Sequence, residues 1–331
     1  MTAIPRVRIA GIGASIPDNV VTNRDLESRL ETTDQWIAER TGIRERRVAR
    51  PDETLASFCV AASRDALAAA GATVDELDAV ILATTTPDRP LPACACDIQA
   101  ELGAWNAVAF DVHAACAGFI IALKVGEGMI AGGRCRKVLV IGGEKLSTIT
   151  NWEDRGTAIL FADGAGAVVL EAAEPGESRG ILSCFTRSDG RLAPLLCIPG
   201  GGNVMPISAE VIANRDHLMQ MNGREVFKHA VREMASACET AMREAGITGD
   251  EVDWLVPHQA NLRIIDATAR HFGLPMEKVV VNVDRMGNSS SASIPIALSE
   301  AVADGRVKRG STLLLVAFGA GFTWGAMVVK W

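Results

Sequence analysis

The chain has 331 residues, enough for one large domain or two of medium size. Its 48% hydrophobic and 22% charged residues describe a globular protein and argue against disorder. With 33 Lys and Arg against 40 Asp and Glu, the net charge of −7 lacks the basic surface that nucleic-acid binding requires. In chain order, short β-branched or leucine-rich runs predict buried strands at 7–12, 79–83, 137–141, 167–170, 253–256, 279–283, 313–317 and 326–329. Helical patterns at 55–70, 119–131, 224–245 and 262–272 lie between them. Strands alternating with helices predict an α/β architecture. No apolar run approaches the ~18–20 residues of a membrane span: 312–320 is too short, and Asp163 interrupts 158–170. No apolar stretch follows Arg6 and Arg8, so no secretory signal is expected. Eight scattered cysteines fit reduced thiols and a cytoplasmic protein.

A weak internal repeat is present. Residues 66–78 read A-L-A-A-A-G-A-T-V-D-E-L-D and residues 241–253 read A-M-R-E-A-G-I-T-G-D-E-V-D, an offset of 175. The same offset carries the strand at 138–142 onto 313–317. Two similar α/β halves, 1–180 and 181–331, are therefore expected, with ligands at the strand ends between them.

The run Phe110-Asp-Val-His-Ala-Ala-Cys-Ala-Gly-Phe119 passes from an extended stretch into a helix and places Cys116 near the helix start among small residues. Free N–H groups and the helix dipole at such a position favour a thiolate, so a depressed thiol pKa is expected. In the second half, His258 follows a buried strand in Trp254-Leu-Val-Pro-His-Gln-Ala-Asn261. Asn288 sits in the polar turn Met286-Gly-Asn-Ser-Ser-Ser-Ala-Ser293, and the offset of 175 brings Ser291 of that turn onto Cys116. His113, three residues before Cys116, is a competing base.

The combination of A-A-C-A-G-F (114–119), V-P-H-Q-A-N-L-R-I (256–264), R-M-G-N-S-S-S-A-S (285–293) and A-F-G-A-G-F-T-W-G (317–325) resembles β-ketoacyl-acyl-carrier-protein synthase III. The likeness extends over T-N-R-D-L (22–26), W-I-A-E-R-T-G-I-R-E-R (36–46) and D-R-G-T (154–157). It implies a thiolase-like fold of layered α-β-α-β-α arrangement. It also implies a decarboxylating condensation of an acyl-coenzyme A starter with malonyl-acyl-carrier protein, initiating fatty-acid synthesis.

By that resemblance Cys116 is the acylated nucleophile and His258 and Asn288 complete the triad. The Cys116 and Ala320 backbone N–H groups form an oxyanion hole, with Ala320 standing where many relatives have glycine. Trp36 and Arg155 sandwich the coenzyme A adenine, Thr32 bonds its edge, Arg40 meets phosphate and Asn261 lines the pantetheine tunnel. Leu91, reaching across a homodimer, and Phe161 line the acyl pocket. Arg224, Lys228 and Arg232 on one predicted helix, with Arg263 and Arg270 on the next, are candidates for binding the acidic carrier protein. No cofactor is expected beyond coenzyme A thioester as substrate.

Three other functions are compatible with parts of this pattern. A starter enzyme of a specialised pathway would use a longer or branched acyl group. A Cys-His-Asn thioester hydrolase would release the acyl group to water, and a non-catalytic partner subunit would be expected to lack the nucleophile. Gly11-Ile-Gly13 has Ile16 at the third glycine position of a dinucleotide fingerprint, and Pro199-Gly-Gly-Gly lacks the lysine of a phosphate loop. Cys94-Ala-Cys96 has no second ligand pair, so zinc is not expected.

Overall fold

The computed structural model describes residues 6–174 and 176–331. Two sheets form its frame. The first contains β1 (Val7–Ser15), β2 (Ala79–Ala83), β3 (Val108–Val112), β4 (Lys137–Lys145) and β5 (Asp163–Ala172), in the order β1-β5-β4-β2-β3. The second contains β6 (Gly180–Ser188), β7 (Trp254–Pro257), β8 (Thr312–Gly319) and β9 (Thr323–Lys330), in the order β7-β8-β9-β6. In each sheet a parallel pair, β2 with β4 and β7 with β8, is extended by two antiparallel strands. The first sheet adds β3, parallel to β2, at its far edge. The strands buried on both faces are continuous apolar runs, as β2 and β8 show.

Helices α1 (Asp34–Thr41), α2 (Leu55–Ala70), α3 (Cys94–Leu102), α4 (Gly118–Ala131), α5 (Gly223–Ala245), α6 (Leu262–His271) and α7 (Ser293–Ala303) complete the main framework. The central helices α4 and α7 lie between the sheets, and residues of both helices and both sheets share one hydrophobic core. Helices α2 and α3 cover the outside of the first sheet, and α5 and α6 the outside of the second. The result is a five-layered α-β-α-β-α arrangement. Apolar residues nearly all round α4 and α7 match their central position, whereas α5 buries a single stripe that includes Met234, Ala237, Cys238 and Ala241.

Equivalent elements recur at an offset of 175 residues. Helices α2 and α5 end at Ala70 and Ala245, and β2 and β7 begin at Ala79 and Trp254. Capping boxes close Thr73 on Glu76 and Thr248 on Glu251. The 3₁₀ turns Ala115–Ala117 and Ser290–Ala292 each lead directly into a central helix.

One predicted strand is not formed. The run 279–283 makes a single bridge, Leu255 to Val279, and then enters a short helix, Val283–Met286. A side chain takes the place of the neighbouring strand there. Gln259 Oε1 accepts the N–H groups of Asn282 and Val283 at 3.0 and 3.2 Å, and its Nε2 donates to the carbonyls of Pro257 and Val280. That amide takes the Val280 carbonyl and the Asn282 and Val283 N–H groups, while Val280 N–H still bonds the Leu255 carbonyl, so the ladder stops after one bridge.

Gly11 and Gly13 have a packing role. A Cβ on Gly11 would lie 2.3 Å from the Ala66 carbonyl oxygen, and one on Gly13 would lie 2.4 Å from that of Ala62, so α2 rests directly on the β1 backbone. Gly13→Ala should therefore destabilise the protein by about 1–3 kcal/mol, as overpacking does. Chemical denaturation should show a lower midpoint at unchanged slope. An unchanged midpoint would mean that helix and strand separate without cost.

Candidate active site

Cys116 occupies the middle of the turn between β3 and α4. Two features fix it there. Ala115 takes a left-handed conformation, φ +46°, and Gly319 at the end of β8 presses against the turn. A Cβ on Gly319 would fall 2.7 Å from the Cys116 nitrogen, so only glycine allows this approach. Burial pushes the Cys116 thiol up to about 11, and the polar Ser290 side chain nearby opposes the rise only in part. The depressed thiol expected from the helix start is thus not found: the lost hydration outweighs the favourable helix end, and the resting thiol is protonated at neutral pH.

His258 follows β7 and extends its pairing, donating its backbone N–H to the Val316 carbonyl at 2.8 Å. The ring is buried, with Nδ1 2.6 Å from Ser293 Oγ, a residue at the start of α7. Ser293 Oγ already accepts the Gln259 N–H at 3.3 Å, so its own proton is free to face Nδ1. That assigns the tautomer with hydrogen on Nε2. Burial lowers the His258 pKa to about 3, so the imidazole remains neutral across the physiological range.

Asn288 is held by its backbone. Its N–H donates to the Leu160 carbonyl and its carbonyl accepts from Ala162 N–H, both at 2.9 Å, in a bridge beside Phe161. Its side-chain Oδ1 accepts the Ser290 N–H at 2.9 Å, which leaves the amide nitrogen to donate. Gly287, φ +68°, precedes it and lies against the buried Arg46, whose Cβ would be 2.8 Å from a Cβ at 287. The Arg46 guanidinium donates to Val21 O, Asn23 Oδ1 and Ile159 O, tying the 21–23 segment to the stretch that carries Phe161. Burial lowers its pKa to about 10, still charged at neutral pH.

Cys116, His258 and Asn288 line one cavity of about 480 Å³, which also reaches Trp36, Arg40, Arg155 and Asn261. A second cavity of about 450 Å³ meets the first at Cys116, Phe161 and Leu196 and includes Thr85, His113, Met219, Ser290 and Ala320. Ala320 is not among the residues with positive φ; the left-handed residue of that turn is Gly321, at φ +133°. The alanine is therefore tolerated without strain.

The other sequence-predicted residues are arranged less simply. Both the Arg40 and Arg155 guanidiniums already stack on Trp36, 4.3 and 4.5 Å from its ring centroid, and Arg155 also donates to the Glu31 carbonyl. No ring fits between Trp36 and Arg155 at that separation, so the expected sandwich requires Arg155 to swing away. Thr32 does not line the cavity, and its buried hydroxyl has no partner among the described residues. Both polar ends of Asn261 are engaged: Oδ1 caps α6 through Arg263 N–H, and Nδ2 donates to the Arg40 carbonyl. Leu91 lines neither cavity of its own chain and is 83% exposed.

Among the basic residues, Arg232 pairs with Glu233, Arg270 with Asp266, and Lys228 lies 3.9 Å from Glu225. Arg263 stacks over Phe227, linking α6 to α5. Sequence reading missed Ser290, Ser293, Gln259 and Gly319, all inside or beside the quoted motifs, because their roles depend on partners distant in the chain.

The neutral imidazole has a measurable consequence for stability. A folded-state His258 pKa below the ordinary 6.5 means the unfolded chain binds the extra proton, so stability is full above pH ~6.5 and falls as acid approaches pH ~3. The slope is up to about 1.4 kcal/mol per pH unit from this residue. His258→Gln should flatten the pH dependence of denaturation over pH ~4–6 relative to the parent chain. Parallel profiles would show that the ring is protonated in the folded state.

Known proteins resemble this chain in both sequence and fold. The 3-oxoacyl-[acyl-carrier-protein] synthase III family matches residues 110–190, and its C-terminal domain matches 242–331. The β-ketoacyl-[acyl-carrier-protein] synthase III of Roseiflexus sp. is 50% identical over 323 residues, covering 98% of each chain. That of Symbiobacterium thermophilum is 49% identical over 325 residues, again covering 98% of each. The crystal structure of 3-oxoacyl-[acyl-carrier-protein] synthase III from Aquifex aeolicus superposes with a TM-score of 0.91 at 44% identity, covering 98% of this chain and 100% of that one. The priming β-ketosynthase of the R1128 polyketide biosynthetic pathway superposes with a TM-score of 0.90 at 36% identity, covering 100% and 98%. With this likeness running almost end to end, the chain belongs to the β-ketoacyl-acyl-carrier-protein synthase III family, condensing acyltransferases of the thiolase fold that act in fatty-acid biosynthesis.

Proposed function

We propose that this enzyme loads an acyl group from coenzyme A onto Cys116 and condenses it with malonyl-acyl-carrier protein, releasing CO2 and forming β-ketoacyl-acyl-carrier protein. The observation that carries this reading is the position of Cys116 where two cavities meet, with His258 and Asn288 in the first. One cavity suits the pantetheine arm that both substrates carry, and the other suits the acyl chain held on sulfur. A covalent intermediate lets the two thioesters use the same arm-binding cavity in turn.

In the second half-reaction, loss of CO2 builds negative charge on the malonyl thioester oxygen. The His258 Nε2–H and the Asn288 amide are both neutral donors available in the cavity, and they stabilise that charge without transferring a proton. The backbone N–H groups of Cys116 and Ala320 serve the tetrahedral intermediates at the sulfur. At the mouth, Arg155 yields its place on Trp36 to the adenine, Thr32 offers its free hydroxyl to the base edge, and Arg40 meets phosphate. Asn261 acts by holding α6 against α1 while lining the passage.

We also infer that the halves 1–180 and 181–331 are duplicated units and that the enzyme is a cytoplasmic homodimer without a resident cofactor. The edge of the first sheet supports the dimer: β3 has one neighbour, Val108 is 53% exposed and nearby Trp105 is 72% exposed. Pairing there brings Leu91 toward the partner's acyl cavity, a position that its exposure leaves open. The likeness to a polyketide priming enzyme supports a second reading, in which the starter is longer or branched.

Mass spectrometry after exposure to acyl-coenzyme A of increasing chain length tests these readings together. Cys116 should retain the acyl group in the absence of carrier protein, and the fastest-loading chain identifies the starter. Asn288→Ala should still acylate but condense about 100–1000-fold more slowly. Continuous release of free acid with no acyl-enzyme would instead identify a hydrolase. For the carrier protein, Arg263→Glu should raise KM for malonyl-acyl-carrier protein several-fold and spare acyl-coenzyme A. Equal changes for both would remove this surface from carrier binding.

A further inference from the structure

Next to the second cavity lies a carboxyl group that the condensation scheme leaves without a role. Glu144, near the end of β4, is fully buried and lines neither cavity. Three consecutive threonines turn their hydroxyls onto its Oε2: Thr84 at 3.3 Å, Thr85 at 3.0 Å and Thr86 at 2.7 Å. The Thr85 N–H adds a fourth bond at 3.0 Å. Thr84 Oγ1 also accepts the Thr86 N–H, and Thr86 Oγ1 accepts that of Lys145, so the protons of both hydroxyls are left for the carboxyl. On its other side, Oε1 meets Ser291 Oγ at 3.2 Å, in the turn that follows Asn288.

Thr85 is the member of this run that lines the second cavity, together with Cys116, Leu146 and Phe161. A threonine carries a hydroxyl and a methyl of similar size on one carbon, and a χ1 rotation of about 120° moves one to where the other stood. Packing therefore discriminates poorly between them, and the hydrogen bond decides. With its N–H and Oγ1 both on Glu144, Thr85 turns its hydroxyl away from the cavity and leaves the methyl to line it. The other threonine of this wall is held in a similar way, with Thr323 Oγ1 2.9 Å from Ser188 Oγ.

Resting on the acyl-Cys116 reading above, we propose that Glu144 is a positioning residue for starter selection, holding the Thr85 hydroxyl out of the second cavity so that a methyl forms the wall there. The carboxyl lies outside both cavities and acts through Thr85. Its bonds to Thr84 and Thr86 fix the chain on either side, and its contact with Ser291 ties that run to the turn after Asn288. The acyl chain then meets a fixed apolar surface whose width at Thr85 is set by one methyl group. A hydroxyl in that place would face the chain without a partner, which is costly in an apolar pocket.

Initial rates of acyl-Cys116 formation, read by intact mass across straight-chain acyl-coenzyme A from acetyl to octanoyl, test this placement. Thr85→Ser keeps the hydroxyl on Glu144 and deletes the methyl. It should raise loading of the bulkier chains relative to acetyl by about tenfold, the order that one methyl group carries in an apolar pocket. Thr85→Val replaces the hydroxyl and keeps the methyl in the cavity, so it should slow every chain alike and preserve their ratio. A ratio moved by Thr85→Val and left in place by Thr85→Ser would put the hydroxyl in the cavity and overturn the proposal.

Glu144→Met removes the acceptor at similar volume and releases the hydroxyl, so it should lower loading of the bulkier chains relative to acetyl. Glu144→Gln keeps one carbonyl oxygen for the hydroxyls and should restore most of the parent ratio. In a Thr85→Val background, Glu144→Met should move the ratio no further, because no hydroxyl remains to release. Equal slowing of all chains by Glu144→Met, or an additive shift in the double variant, would reduce Glu144 to a structural support and overturn the proposal. If Glu144→Met does not fold, the two Thr85 variants decide the matter. A parent chain that loads no acyl group would overturn the condensation reading and this inference with it, whereas a parent that loads, with variants that depart from this pattern, overturns this inference alone.

Discussion

The site depends on two turns, each seated by a glycine from the other sheet. Gly319, on β8 of the second sheet, lies under Ala115–Ala117, and a Cβ there would meet the Cys116 backbone at 2.7 Å. Gly142, on β4 of the first sheet, lies under Ser290–Ala292, where a Cβ would fall 2.3 Å from the Ser291 carbonyl oxygen. The exchange is reciprocal, so neither turn has its seat within its own sheet. Each turn begins with a left-handed non-glycine residue, Ala115 or Ser290, a conformation that costs of order 1 kcal/mol and persists where the surroundings hold it. Cys116 is therefore placed only when the two sheets close on the central helices.

The same closure sets the electrostatics. Excluding water raises the thiol and lowers the imidazole, so both reacting groups rest uncharged. For His258 that state leaves a neutral ring with hydrogen on Nε2, a donor in the cavity, and dryness strengthens such donors. For Cys116 it opposes ionisation, since a thiolate there would lie in a place that disfavours charge.

Much of the architecture was legible in the sequence. The repeated segment ending at Asp78 and Asp253, the long helical patterns and the apolar strand runs are local features, and local features survive folding. Cys116, His258 and Asn288, which line one cavity, could be singled out because each occupies a run of small or polar residues. The failures have a common physical origin. The run 279–283 has strand composition, but Gln259, 23 positions before Asn282, supplies its hydrogen bonds. Glu144 and Ser291 are 147 residues apart in the chain, and Ser293 reaches His258 across 35. Neither link leaves a periodic trace. The stacking of Arg155 on Trp36 similarly joins residues far apart in the chain, a cation and a ring that meet only in the folded protein.

Positions 175 residues apart show how two alike frameworks produce one asymmetric centre. Cys116 corresponds to Ser291, and Glu144 to Gly319. In one turn the middle residue is a cysteine; in the other it is a serine whose hydroxyl lies beside the buried Glu144 carboxyl. At the second pair, one strand ends in a buried acid and the other in the glycine that lets the backbone approach Cys116. A carboxylate at both positions would occupy the seat of the nucleophile turn, and a glycine at both would leave the threonine and serine hydroxyls around Glu144 without their shared acceptor. Each substitution that distinguishes the halves thus removes an obstacle on one side and supplies a reacting or hydrogen-bonding group on the other. The common framework supplies the geometry, and these unlike residues supply the chemistry.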